Sequence, residues 1–373
     1  MVVRSKVLKE GDMRAKSLLI FGVLALIWIP FFTNSAIAAS EIKLRAVSHW
    51  PPQSTQGKLI GEFCKEVEKR TNGKVKVTYY AGSSLLDAPR AYGGIAQGIA
   101  DMGAVGLHFT MGRFPVMETT YLPIGFTSGW VATHVVGDYY SQFKPKEFND
   151  VHVLWFMACG PNALLMRQPI SKLEDMKGLA IRATGRVAQV VEALGATARP
   201  MDIAEGYDAA TRGLLDGFAL PMETIKNYKL SDVTKYIVDC WAVGSIYTFV
   251  VAMNKDKWNT LPPEVQKTFT DLSQNYVEKS ALMWNDTDIV GARYGLEKGM
   301  KIISLPREEM ERWTKATDKV VDTYMKERVA AGFSSDDIKS QIGFIKQRVG
   351  YWTGKQKEAG VKSISGPEEI RTR

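Results

Sequence analysis

The sequence predicts an α/β fold in which two pseudo-symmetric α/β domains are joined by hinge strands and a long helix. Strand and helix patterns alternate up to about residue 250, which is typical of parallel sheets. A spaced triplet occurs twice, as Tyr92, Gly98 and Asp101 and then as Tyr207, Gly213 and Asp216. In each copy the Gly is expected to end a short helix and the Asp to lead into a strand of small residues. The chain therefore contains two similar halves.

Residues 1–38 are predicted to be a cleaved signal peptide. Basic residues precede the apolar run 17–32, and small residues then form an A-x-A cleavage site. The run is shorter than the ~20 residues that span a bilayer and contains Pro30, so a membrane anchor is less favoured. The sequence leaves open whether translation starts at Met1 or Met13. The mature chain is expected to begin near Ala39 and to be exported and soluble.

The first half is predicted to begin with a strand at residues 42–48. A turn-rich loop with His49 and Trp50 follows, and a helix at residues 59–69 then places Cys64 on its apolar face. The next strand, the first triplet helix and a small-residue strand complete the expected α/β unit.

A short strand at residues 179–183 carries the clearest indication of function. Its period-2 alternation places Leu179 and Ile181 on one face and Ala180 and Arg182 on the other. Arg182 therefore leaves the core at the end of a strand, where open α/β sheets bind ligands. Its guanidinium is a planar fork that matches a carboxylate.

Another strand is predicted at residues 247–254, after which the chain becomes helical, with helices at residues 261–284, 307–330 and 335–357. No linker rich in Pro, Gly or Ser separates the halves, so the chain is expected to cross between them more than once. The predicted units after the signal peptide are lobe I (39–164 plus 251–290), lobe II (165–250 plus 291–330) and a C-terminal helical segment (331–373).

Charge and motif content exclude several function classes. The net charge is +8, but basic and acidic residues alternate along helix faces, so nucleic-acid binding is not expected. The four histidines lack metal-ligand spacing and no nucleophile elbow occurs, so no metal, cofactor or enzyme activity is predicted. One of the three cysteines must be unpaired, and the sequence leaves open whether Cys159 and Cys240 form a disulfide.

Several segments occur in a specific order, namely W-P-P-x-x-x-x-x-K-L-I-x-E-F, A-Q-G-I-A-D-M-G, G-R-F-P-V-M-E-T-T-Y-L-P, L-E-D-M-K-G-L-A-I-R and E-A-L-G-A-T-A-R-P-M. In this order the mature chain resembles the substrate-binding subunits of tripartite ATP-independent periplasmic (TRAP) transporters, the DctP-like family. The resemblance implies a two-lobed periplasmic binding protein fold. It also implies a monomer that delivers a small organic acid to the small and large membrane permease subunits.

In that family the arginine that closes the K-G-L-x-I-R motif bonds the substrate carboxylate, which implies this role for Arg182. A second arginine of the family is placed by the resemblance at Arg167. Relatives that bind sialic acid carry polar or acidic residues where this chain has Leu220 and, after the first A-D-M-G turn, the segment that contains His108. These differences favour a less polar carboxylate, because an apolar wall leaves the hydroxyls of a sugar acid unpaired.

Aromatic residues indicate the same ligand class. Trp50 and Phe218 are expected to contact the ligand, and His49 completes the candidate set. The predicted function is therefore capture of a monocarboxylate, aromatic or otherwise apolar, for a TRAP permease. C4-dicarboxylates and sugar acids are the alternative ligands, and a ligand-binding sensor is the alternative protein class.

Overall fold

The computed structural model describes residues 41–372, which form two mixed β-sheets and ten α-helices. The strands are β1 (Ile42–Ser48), β2 (Val75–Tyr80), β3 (Met102–Gly106), β4 (Val151–Ala158), β5 (Ala163–Met166), β6 (Ala180–Arg182), β7 (Thr197–Ala198), β8 (Gly217–Leu220), β9 (Tyr236–Asp239), β10 (Thr248–Asn254) and β11 (Lys301–Ser304). The helices are α1 (Thr55–Arg70), α2 (Ala88–Ala96), α3 (Gly129–Phe143), α4 (Gly185–Ala193), α5 (Ile203–Thr211), α6 (Thr224–Asn227), α7 (Lys255–Thr260), α8 (Pro263–Glu297), α9 (Arg307–Ala330) and α10 (Ser335–Glu358).

The first sheet has the strand order β2-β1-β3-β10-β4, and the second has the order β11-β9-β5-β8-β6-β7. Strands β1, β2 and β3 pair in parallel, as do β6, β7 and β8. In contrast, β10 is antiparallel to β3 and β4, and β5 is antiparallel to β8 and β9. The prediction of parallel sheets is wrong for β5 and β10, because these are the strands that enter each sheet directly from the other one.

The two halves have equivalent topology. The order β2-β1-β3-β10-β4 matches β7-β6-β8-β5-β9, strand for strand. The repeated Asp residues have the same role in both sheets: Asp101 accepts a hydrogen bond from the amide of Arg45 in β1 at 2.7 Å, and Asp216 accepts one from Ala180 in β6 at 2.8 Å. Each carboxylate thus links the loop before one strand to the neighbouring strand.

The repeated glycines also match. Gly98 has a φ of +76° and Gly213 has a φ of +78°, the left-handed conformation that a helix end requires and that a side chain disfavours. The sequence triplet is therefore a true structural repeat.

The chain passes from the first sheet to the second between β4 and β5, and returns between β9 and β10. Helix α8 begins at Pro263, as expected from a Pro at the first helical position, and runs 35 residues, beyond the predicted end. The predicted lobe boundaries stay a prediction.

None of the helices within residues 41–372 is long and apolar enough to cross a bilayer.

Cys64, Cys159 and Cys240 are buried free thiols. The disulfide that the sequence left open is not formed: the Cys159 sulfur accepts from the amide of Tyr247 at 3.1 Å, whereas the Cys240 thiol faces the carbonyl oxygen of Asn162 at 3.8 Å. Strand β6 spans Ala180–Arg182 and is shorter than the predicted 179–183, but Leu179 and Ile181 share one apolar core, as the alternation predicted.

Candidate ligand-binding site

Arg182 ends β6, and it is buried, with 6% of its surface exposed. Its Nε donates a hydrogen bond to the carbonyl oxygen of Met201 at 2.8 Å. Within residues 41–372 no carboxylate forms an ion pair with this guanidinium. Burial lowers the pKa of Arg182, and Tyr247 and Asp202 oppose that shift. A buried cation without an anion is costly, so a ligand carboxylate would supply the missing partner.

Tyr247 lies near this guanidinium and beside the side chain of Asn162. Asn162 is 4% exposed, and among the described residues neither its Nδ2 nor its Oδ1 has a hydrogen-bond partner. Burial raises the pKa of Tyr247, while the charge of Arg182 and the side chains of Thr184 and Asn162 oppose the rise. The Tyr247 hydroxyl stands close to Asn162 without a hydrogen bond of standard geometry. These groups form the polar end of the candidate site.

A set of rings from the first sheet continues from Tyr247. The His108 ring lies 4.5 Å from Tyr247 and 4.1 Å from Phe109, centre to centre. His49 lies 5.0 Å from Phe109 and 4.3 Å from Trp50. These residues follow β1 and β3, so the loops at the carboxyl ends of first-sheet strands meet the edge of the second sheet that carries Arg182.

The two histidines in this set are uncharged near neutral pH. Burial lowers the pKa of His49 to about 4, and burial together with His49 lowers the pKa of His108 to about 3. The Nδ1 atom of His108 is buried and has no hydrogen-bond partner among the described residues. The rings therefore add polar atoms and stacking area to the site without adding charge.

Phe218 and Leu220 lie in the core behind the site. They are 0% and 2% exposed, and both belong to the apolar core that also contains Ile225. A Cβ added to Gly206 would meet the Phe218 ring at 3.0 Å and the Arg182 stem at 3.2 Å. Phe218 is thus placed beside the aliphatic part of Arg182, with no exposed surface of its own.

The structure does not bring Arg167 to this site. Arg167 is exposed. Its Nη1 donates a hydrogen bond to the carbonyl oxygen of Ala210 at 3.1 Å, and its backbone amide donates one to the carbonyl oxygen of Asp216 at 2.9 Å. Asp216 precedes β8, so Arg167 lies at the edge where β8 begins. Because β5 is antiparallel, its amino end and Asn162 reach the edge of Arg182, and its carboxyl end leads away from it.

The sequence analysis missed two neighbouring carboxyls, those of the buried Asp288 and the half-buried Glu223. Asp288 of α8 accepts a hydrogen bond from the amide of Glu223 at 3.0 Å. Burial raises the pKa of Asp288 to about 7, and burial together with Asp288 raises the pKa of Glu223 to about 8. Tyr228, 44% exposed, lies near both Glu223 and Arg182. These residues lie far apart in the sequence, so motif analysis does not detect that they are neighbours in the fold.

The structure also contains a cavity that lies away from the residues around Arg182. A cavity of about 450 Å³ lies between α3, β4 and α8, and its lining includes His134, Asp138 and His152 but none of the residues around Arg182. The charge and unpartnered polar atoms around Arg182 favour that cluster as the ligand site. In the described part of the chain, no group of three His, Cys, Asp or Glu side chains is arranged to hold a metal ion.

Comparison with known proteins identifies the family. The family described as bacterial extracellular solute-binding protein, family 7 (DctP), matches residues 46–328. The chain belongs to this family. The DctP assignment confirms the resemblance to TRAP substrate-binding subunits, and it makes the chain a solute-binding protein and not an enzyme.

Solved structures share the fold. A TRAP periplasmic solute binding protein from Desulfovibrio salexigens DSM2638 is 29% identical with a TM-score of 0.76, over 82% of this chain and 96% of that chain. One from Rhodoferax ferrireducens T118, in complex with copurified benzoate, is 23% identical with a TM-score of 0.76, over 84% and 99% of the two chains. These similarities confirm the predicted α/β binding-protein fold.

A relative of known ligand class is similar over most of its length. The monocarboxylate 2-oxoacid-binding periplasmic protein of Nostoc sp. PCC 7120 is 23% identical over 324 residues, which cover 84% of this chain and 86% of the relative. By its family, the chain is a bacterial extracellular solute-binding protein.

Proposed function

We propose that the protein captures a monocarboxylate through Arg182 and delivers it to a TRAP permease. The observation that carries the proposal is the buried Arg182 guanidinium, which has no carboxylate partner within residues 41–372. Met201 holds the Nε, and a ligand carboxylate accepts charge-assisted hydrogen bonds from the two Nη groups.

An aromatic or otherwise apolar acid is favoured as the ligand. Beyond Arg182 the site continues into the rings of His49, Trp50, His108 and Phe109, which offer stacking area. The low pKa values of His49 and His108 leave these rings without a charge for a second carboxylate, which disfavours C4-dicarboxylates. The benzoate bound to the Rhodoferax protein and the 2-oxoacids of the Nostoc relative fit this class.

The unpartnered polar atoms limit how polar the ligand is. Asn162 offers one donor and one acceptor group, and His108 offers its Nδ1. A hydroxyl or oxo group of the acid can accept from the Asn162 Nδ2, and a hydroxyl can also donate to the Oδ1, whereas the several hydroxyls of a sugar acid require more partners. Each hydroxyl buried without a partner costs about 1–3 kcal/mol.

Capture is proposed to occur by closure of two lobes over the acid. Lobe I (39–164 plus 251–290) contributes the aromatic rings and lobe II (165–250 plus 291–330) contributes Arg182. The two strand connections and α8 serve as hinges, and closure expels water from around the guanidinium. The closed monomer then docks on the small and large permease subunits.

Export is proposed to follow from the signal peptide at residues 1–38, which lie outside the described residues. The mature protein is expected to begin near Ala39. Amino-terminal sequencing of protein from a periplasmic extract tests this, and an intact leader in the membrane fraction would overturn it.

A ligand screen tests the proposed function. Mass spectrometry of the purified protein should detect a copurified carboxylic acid, and a thermal-shift screen should rank benzoate, branched 2-oxo acids, C4-dicarboxylates and sialic acid. Benzoate-like or 2-oxo acids are expected to give the largest shifts. Tight binding of a polyhydroxy acid contradicts the ligand class, and no response to any carboxylate contradicts capture through Arg182. Copurification of the permease subunits separates transport from sensing.

A further inference from the structure

The residues after α10 fold back on themselves and form a closed loop, residues 363–372, which we call the C-terminal loop. The amide of Ser363 donates a hydrogen bond to the carbonyl oxygen of Ile370 at 2.8 Å. The amide of Thr372 donates one to the carbonyl oxygen of Ser363 at 2.7 Å. The Ser363 hydroxyl donates to the carbonyl oxygen of Ser365 at 2.7 Å. The C-terminal loop therefore has a fixed shape of its own.

One end of the C-terminal loop is anchored on the side of the first sheet. The Ser365 hydroxyl donates to the carbonyl oxygen of Thr127 at 2.9 Å, next to the start of α3, which packs against β4. Gly366 has a φ of +94°, and a Cβ there would lie 2.8 Å from the Thr127 oxygen. Only glycine permits this close approach.

The other end is anchored on the second sheet. Arg371 Nη2 lies 2.7 Å from Asp239 Oδ2 as an ion pair without hydrogen-bond alignment, and its Nη1 donates to the Ser304 hydroxyl at 3.0 Å. Asp239 and Ser304 face each other at the ends of the parallel strands β9 and β11. The Arg371 guanidinium thus spans two adjacent strand ends. Asp239 is only 2% exposed, and a buried carboxylate that loses its cation is costly.

We infer that the C-terminal loop is a strap that ties the two sheets together and restrains their relative movement. The covalent crossings between the sheets are the proposed hinges, whereas the C-terminal loop adds a non-covalent crossing with a buried ionic anchor. Asn285 of α8 also holds the residue just before the C-terminal loop, because its Nδ2 donates a hydrogen bond to the carbonyl oxygen of Lys362 at 2.6 Å. The inference rests on the proposed closure of the two lobes, and its test uses the protein without ligand.

Pulsed electron spin resonance between two spin labels measures the restraint. Lys58→Cys on α1 and Glu192→Cys on α4 place labels on exposed helix positions of the two halves, and the native cysteines are buried. In the ligand-free protein, Arg371→Ala should widen the distance distribution relative to the doubly labelled parent. Arg307→Ala removes an equal charge from an exposed helix end and should leave the distribution unchanged.

A second variant keeps the test valid if Arg371→Ala does not fold. Ser365→Ala removes only the hydrogen bond to Thr127 and should also widen the distribution, because it releases the opposite anchor. A distribution that stays at the parent width in a folded Ser365→Ala or Arg371→Ala protein overturns the strap. Adding benzoate to the doubly labelled parent separates lobe closure from the strap. A shorter distance between the labels in the parent supports closure even where the strap fails. A wider distribution in the ligand-free variants supports the strap even where benzoate has no effect on the parent.

Discussion

Arg182 and Asn162 lie at the same edge of the second sheet, although their strands run in opposite directions. Strand β6 ends at Arg182 and pairs in parallel with β8, whereas β5 begins just after Asn162 and pairs antiparallel with β8. Both side chains flank Tyr247. Residues 41–372 offer no anion to the guanidinium and no hydrogen-bond partner to the amide, and a carboxylic acid with one further polar group supplies partners for both.

Removing the proposed carboxylate anchor should abolish most of the binding. Arg182→Ala is expected to weaken binding of the best acid from the screen by about 2–5 kcal/mol, and Arg182→Lys should rescue it only in part because the planar fork is lost. Titration calorimetry measures both. Arg167→Ala is the matched control, since Arg167 is exposed and away from the site, and should bind within about twofold of wild type. Equal losses in the two alanine variants would contradict the assignment.

Asn162→Ala should reduce affinity without reducing stability. In the free protein the amide is buried and finds no hydrogen-bond partner among residues 41–372, so its removal relieves a cost. In the complex its removal takes away about 1–3 kcal/mol of hydrogen bonding. Calorimetry with a 2-oxo acid and denaturant unfolding of the free protein measure the two effects. Asn149→Ala, at an exposed turn, is the control and should change neither. A destabilised protein with unchanged affinity would assign Asn162 a purely structural role.

Much of the fold was predictable because local patterns agreed with it. Strand β1 and helix α9 match their predicted bounds, and the triplet of Tyr, Gly and Asp predicted the repeat because both glycines and both Asp side chains have backbone roles. Strand direction was not predictable. Nothing within residues 163–166 indicates that β5 is antiparallel, because direction is set by its partners in the sheet.

The direction of β5 also explains why Arg167 lies away from Arg182. Arg167 follows a strand, and in a parallel sheet it would share the edge of Arg182; in the antiparallel β5 this place belongs to Asn162, which precedes the strand. Tyr247 and Asp288 were missed for a related reason. They come close to Arg182 and Glu223 only through the crossings between the sheets, and no local pattern records such contacts.

Leu220 offers a test of core packing. Its side chain is 2% exposed within an apolar core, so Leu220→Asn should bury an amide without partners and lower the free energy of unfolding by about 1–3 kcal/mol. Denaturant unfolding measures the loss. Leu214→Asn, at a residue that is 62% exposed, should change stability by less than about 0.5 kcal/mol. Unchanged stability in Leu220→Asn would place this side chain at the ligand surface instead.

The buried carboxyl of Asp288 should make stability fall as pH rises. Its folded pKa of about 7 exceeds the unfolded value of about 4, so between these values the folded state binds more protons. The stability that Asp288 contributes is therefore fully present below about pH 4 and is lost as pH approaches 7. His49 and His108 act in the opposite sense, because their lowered pKa values make acidification destabilising below about pH 6.5.

Comparing Asp288→Asn with wild type isolates this carboxyl from the histidines. Asparagine keeps an oxygen that can accept the hydrogen bond from the amide of Glu223 but cannot ionise. The stability of Asp288→Asn relative to wild type should therefore rise from pH 5 to about pH 7 and then level off, in denaturant unfolding at matched ionic strength. Asp286→Asn, an exposed position on the same helix, should give a nearly flat difference. A flat difference for Asp288→Asn as well would mean that Asp288 ionises as readily in the folded protein as in the unfolded chain.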